Sequence, residues 1–140
     1  MATENLRTVS LTRKAHVSFE ATNSRGQSIS MGDGSTDEFT PVELLLAAVA
    51  GCSAIDVDFL TSRLSEPDAF VVRAAAEKVR DEHGNHLADV SAEFSVTFPA
   101  GEGGDAARNR LPDAVAKSRD RLCTVSRTVA LPTPVVFTVS

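Results

Sequence analysis

Two cysteines, Cys52 and Cys123, are the residues of this chain best suited to covalent chemistry. Cys52 lies inside the apolar run VELLLAAVAGCSAIDV, residues 42–57. Cysteine is among the most buried residue types, so filling a core is one reading of it. Chemistry needs the thiolate, and apolar surroundings raise a thiol's pKa. An active Cys52 therefore requires a cation or hydrogen-bond donor brought from elsewhere in the fold. Asp56, one helical turn further on, shares its face and opposes ionisation if charged. Cys123 sits in KSRDRLCTVSR, with Arg119 and Arg127 four positions away on either side and Arg121 close by. If a helix persists there, the guanidinium groups favour a thiolate. The alternative is a solvated basic face.

A nucleophilic thiol with a second thiol nearby supports a defined reaction. A thiolate attacks the O–O bond of a peroxide and becomes a sulfenic acid, and the second thiol condenses with it to a disulfide. An external dithiol then restores both. This cycle needs neither a metal nor an organic cofactor. Competing constellations are weak. His16, His83 and His86 are scattered and read as surface residues rather than a zinc site. The sequence contains no P-loop, no GxGxxG and no GxSxG.

The elements that must position these thiols can be read from the pattern. Val9 and Leu11, then Val17, Phe19 and Ala21, then Ile29 and Met31, alternate with polar residues as strands do, with a turn at Asn23–Gly26. Gly32–Phe39 reads as a loop. Thr40-Pro41-Val42-Glu43 has the form of a helix start closed by a capping box. The helix that follows is expected to reach about Leu64. Ala47, Ala50, Gly51 and Ala54 give it a face of small side chains, while most other positions are apolar. A helix apolar nearly all round is buried nearly all round, and a chain this small needs a partner subunit to cover it. Two alternating strands around Phe70–Ala76 and Val90–Phe98 are joined by a hairpin turn at Asp81–Asn85. Pro99–Asp105 reads as a second loop. A second helix carries Leu111, Val115, Ser118, Leu122 and Val125 on one face, with Pro112 at its start or at a break, and Val135–Val139 reads as a closing strand. The order β-β-β-α-β-β-α-β indicates an α+β fold with mainly antiparallel sheets.

The bulk properties narrow the function. The chain has 140 residues, enough for a single domain, 1–140, and carries a net charge of −5, which disfavours a nucleic-acid surface. Seven Phe and no Trp or Tyr leave little for base stacking. The apolar run Leu44–Cys52 is short for a membrane span, and the N-terminus lacks a signal-peptide pattern, so a cytoplasmic protein is expected.

TPVELLLAAVAGCSAIDV and AVAKSRDRLCTVSRTV, preceded by SFEATNSRGQSISM, resemble the osmotically inducible protein C and organic hydroperoxide resistance (OsmC/Ohr) family over essentially the whole chain. The GCSAIDV form is closer to a less-characterised branch. The resemblance implies an intertwined homodimer whose sheets wrap two central helices, with active sites at the subunit interface. It implies that Cys52 is the peroxidatic cysteine and Cys123 the resolving one. It implies an organic hydroperoxide as substrate and an external dithiol, a lipoylated or thioredoxin-like protein, as reductant, in oxidative-stress defence. Two departures from the best-understood members stand out. Their Glu ten positions before the cysteine is Val42 here, with Glu43 one position later. Their thiolate-holding arginine has only Arg13 as a loose counterpart, Arg25 lying in a turn. The alternative function is a non-peroxidase dimer that binds a hydrophobic small molecule or senses redox state.

Overall fold

The computed structural model describes residues 3–140. The chain forms two compact units that divide between Leu45 and Leu46.

The first unit holds a three-stranded antiparallel sheet, β1 (Val9–Ala15), β2 (Ser18–Asn23) and β3 (Ser28–Gly32), with β2 central. The β2–β3 turn is built by Asn23. Its side-chain oxygen accepts from the backbone N–H groups of Arg25 and Gln27, both at 3.0 Å, and Gly26 supplies the left-handed backbone the turn requires, at φ 91°. The expected capping box forms at Thr40. Its hydroxyl accepts from the Glu43 N–H at 3.1 Å, and the Glu43 carboxylate accepts from the Thr40 N–H at 2.8 Å. Helix α1 starts there and runs Pro41–Thr61, ending a turn before the expected Leu64 because Ser62–Leu64 tighten into a turn.

The second unit holds the rest of α1, a long antiparallel hairpin and two further helices. Strands β4 (Ala69–Asp81) and β5 (Gly84–Thr97) pair along their length through the expected turn. Along β4, Phe70, Val72, Ala74 and Ala76 face inward by alternation, and Phe70 meets Phe94 edge-on at 6.2 Å. The core gathers Val49 and Val57 of α1, Phe98, Ala107, Ala114 and Cys123.

Three expectations for this half are corrected. Pro99–Asp105 is not all loop, because helix α2 spans Glu102–Lys117. A side chain at Gly104 would overlap the Pro99 carbonyl oxygen, so glycine there lets the first helical turn lie against the incoming chain. Pro112 neither starts nor breaks α2 but sits within it. The lost hydrogen bond costs about 3 kcal/mol, and Ala107 and Ala114, both fully buried and two turns apart, anchor the helix on either side. Residues 135–139 form no strand. A strand exists by pairing, and among the described residues none pairs with this segment, which is exposed throughout. The last regular element is instead a short helix α3 (Thr124–Ala130), giving β-β-β-α-β-β-α-α. The architecture remains α+β with antiparallel sheets.

Taken whole, α1 is long and apolar enough to cross a bilayer, which the shorter run Leu44–Cys52 did not suggest. Three of its polar groups nonetheless meet protein partners: Ser53 and Asp56 meet Ser118, and the Thr61 hydroxyl donates to the Val57 carbonyl at 2.9 Å.

Candidate redox site

Helix α1 presents Cys52, Ser53 and Asp56 on adjoining turns, Cys52 and Asp56 being four residues apart on one face. The opposing wall comes from the junction after α2. There Ser118–Leu122 form a single π-helical turn, closed by the Cys123 N–H donating to the Ser118 carbonyl at 2.8 Å. At Cys123 the backbone leaves the helix (φ −75°, ψ 101°), and the residue becomes the N-cap of α3. Its sulfur accepts from the Ser126 N–H at 3.3 Å and lies 3.1 Å from the Ser126 hydroxyl. A thiol or thiolate here does the work that Ser, Thr or Asp usually does at a helix start.

The two sulfurs and a carboxylate oxygen of Asp56 all lie within 4.8 Å of one another, and both cysteines are free. Ser118, fully buried, donates to the Asp56 carboxylate at 2.8 Å and stands 3.1 Å from the Ser53 hydroxyl. Cys123 is fully buried, whereas Cys52 is only half-buried. A molecule arriving from solvent therefore meets Cys52 first.

The two thiols are tuned in opposite directions. Burial pushes the Cys52 thiol up, with the neighbouring Cys123 sulfur adding to it against the pull of the Val125 and Thr124 backbone N–H groups. Burial also opposes ionisation of Cys123, but its hydrogen bonds win and hold it low: the Ser126 and Ser53 hydroxyls, the Ser126 N–H, and Cys52 itself. Of the two, Cys123 is therefore the readier to ionise.

The expected cage of guanidinium groups around Cys123 does not form, because the helix breaks at that residue. Arg119 donates through Nε and Nη2 to the Asp120 carboxylate, at 2.7 and 3.0 Å, and Arg127 donates to the Asp120 carbonyl at 3.2 Å. Arg13 and Arg25 lie exposed in the first unit, on β1 and in the β2–β3 turn. His83 and His86 are exposed on the hairpin, facing Glu82 and Asp81. The residues that sequence reasoning missed are Ser53, Ser118 and Ser126. Their only signal was polarity: Ser118 interrupts an otherwise apolar stripe.

Ser53 and Ser126 also line a cavity of about 530 Å³ whose other walls are mainly apolar, Val49, Phe94, Val115 and Val129 among them, with Ser91 and Arg119 as further polar groups. That volume suits a small ligand. The donors around the Cys123 sulfur thus border an apolar chamber.

Residues 32–138 match the family model described as OsmC-like protein. The chain belongs to the OsmC-like protein family. Its fold recurs in solved structures of that family. An OsmC-like protein of unknown function from Vibrio cholerae superposes with a TM-score of 0.74 at 11% identity, covering 90% of this chain and 94% of the other. The organic hydroperoxide resistance protein OhrB of Bacillus subtilis gives 0.55 at 14% identity, covering 88% and 90%. A hypothetical protein from Aquifex aeolicus gives 0.72 at 22% identity, covering 89% and 87%. No curated protein matches the chain. At these identities the OsmC-like likeness speaks for the fold, and the chemistry has to be argued from the two sulfurs.

Proposed function

We propose that this OsmC-like chain, acting as a single domain over residues 1–140, is a thiol-dependent peroxidase for organic hydroperoxides in oxidative-stress defence. One observation carries the reading: a half-buried sulfur and a fully buried one lie within 4.8 Å, both free of other bonds. Cys52, the accessible sulfur, loses its proton to solvent and attacks the O–O bond as the thiolate. The distal oxygen stays on sulfur as a sulfenic acid, and the remaining alkoxide takes a proton and leaves as the alcohol. The Cys123 sulfur then attacks the sulfenic sulfur, expelling water and forming the disulfide. Two electrons from the two sulfurs have reduced one O–O bond. An external dithiol, of the lipoylated or thioredoxin-like kind, returns them. The apolar chamber beside Ser53 and Ser126 supports a preference for greasy peroxides.

The active form in this reading is a cytoplasmic homodimer. Ile55 and Phe59 of α1 are 61% and 75% exposed, Phe137 is 91% exposed, and among the described residues no atom comes within 4 Å of where a Gly51 side chain would sit. A second copy would cover these groups and could bring a cation to Cys52.

The same cavity supports a second reading, a non-peroxidase dimer that binds a hydrophobic small molecule and whose thiols report redox state. Counting free thiols while titrating with cumene hydroperoxide separates the two. The peroxidase loses both thiols per molecule of peroxide, and Cys52→Ser blocks the loss. Thiols that survive excess peroxide would remove the enzyme and leave the binder.

A further inference from the structure

We propose that the reduced site is also a metal site, in which Cys52, Cys123 and Asp56 bind one zinc-like divalent cation. The inference goes beyond the peroxidase reading and does not depend on it.

The donor set is the first argument. Two thiolates and a carboxylate form the soft, mixed set that zinc accepts, and that magnesium and calcium do not. Three protein ligands with a fourth position left to water is the pattern of open zinc centres. The spacing is the second. Bonds of about 2.3 Å to sulfur and about 2.0 Å to oxygen place tetrahedral donors roughly 3.5 to 3.8 Å apart. These three lie within 4.8 Å, so side-chain rotations of about an ångström suffice to close the set. Cys52 and Asp56 come from successive turns of one rigid helix, and Cys123 is pinned by the break that starts α3.

The surroundings are the third argument. Carboxylates that bind metals are usually held by a hydrogen bond from behind. Ser118, buried and without other exposure, holds one oxygen of Asp56 at 2.8 Å and leaves the second free. Cys52 and Asp56 are half-buried, which provides an entry path, while Cys123 closes the inner side. A divalent cation would also supply the positive charge that no side chain of the cluster carries. Binding displaces the thiol protons to solvent, and no electrons move.

The test uses the full chain, reduced and stripped with chelator, titrated with cobalt(II) and then with zinc(II). The expected result is a sulfur-to-cobalt charge-transfer band with tetrahedral visible bands, saturating at a single equivalent and erased by zinc. Asp56→Asn should weaken cobalt binding by about tenfold or more, and Cys123→Ser should lower the charge-transfer intensity. Absence of the band in folded wild-type protein with both thiols free would overturn the inference, as would a band that Cys52→Ser and Cys123→Ser leave unchanged. Oxidation by cumene hydroperoxide is followed separately on metal-free protein. Failure of cobalt binding alone therefore removes the metal site, and failure of oxidation alone removes the peroxidase.

Discussion

Cys123 and Cys52 divide the labour of the site between depth and access. The deep sulfur is held low by its hydrogen bonds and the shallow one is pushed up by burial, so the shallow thiol ionises at the higher pH. Burial pushes Cys52 up, so its thiolate fraction is still growing at the pH where an ordinary thiol is half ionised, 9.0. In chelator-treated protein, the rate of Cys52 oxidation by cumene hydroperoxide should keep rising with pH through that value. A plateau near neutrality would mean that a cation reaches the sulfur. Replacing Cys123 with Ser should stop the reaction at a Cys52 sulfenic acid, detectable by a carbon nucleophile that traps sulfenates. Ser118→Ala should lower stability to urea by roughly 1–3 kcal/mol, because Asp56 loses its donor in a partly buried place. Both cysteines were legible in the sequence, since residue type alone nominates them. Their hydrogen-bonding serines were not. Serine is common, and only the fold reveals that three of them converge on one sulfur and one carboxylate.

The elements that carry the site owe their accuracy to particular local signals. Thr40 and Glu43 announced the start of α1, and the capping box they form is worth about 1 kcal/mol, so Thr40→Ala should cost that much in a denaturant titration. The hairpin β4–β5 was readable from strict alternation and its turn. The second helix starts earlier than its composition suggests, for a physical reason. Gly103 and Gly104 look like loop residues, but they are glycines because the helix start presses on Pro99 and Leu64. Gly104→Ala should therefore destabilise the chain by about 1–3 kcal/mol through overpacking, although alanine is the better helix former. The break at Cys123 carries no local signal, because nothing in RDRLCTVS forbids a helix. The π-helical turn is stabilised by where the Ser118 carbonyl and Cys123 N–H finish, a tertiary outcome.

For the molecule as a whole, membership of the OsmC-like family and the α+β architecture were both legible, because two cysteine motifs in order are specific and strand alternation survives divergence. The closing strand was not, since residues 135–139 have the composition of a strand without a neighbour to pair with inside the chain. The exposed apolar groups on α1 and in this segment predict a dimer. Light scattering on the purified chain should give twice its 14.8 kDa, and a monomer would deprive those groups of the cover proposed for them. The central claim is narrower than the dimer and can be tested on the two sulfurs alone. Reduced protein is treated with one equivalent of cumene hydroperoxide, alkylated, digested without reductant and weighed by mass spectrometry. The account predicts a linked peptide pair containing Cys52 and Cys123 within the same chain. Recovery of both cysteines as alkylated free thiols, with the peroxide unconsumed, would contradict it.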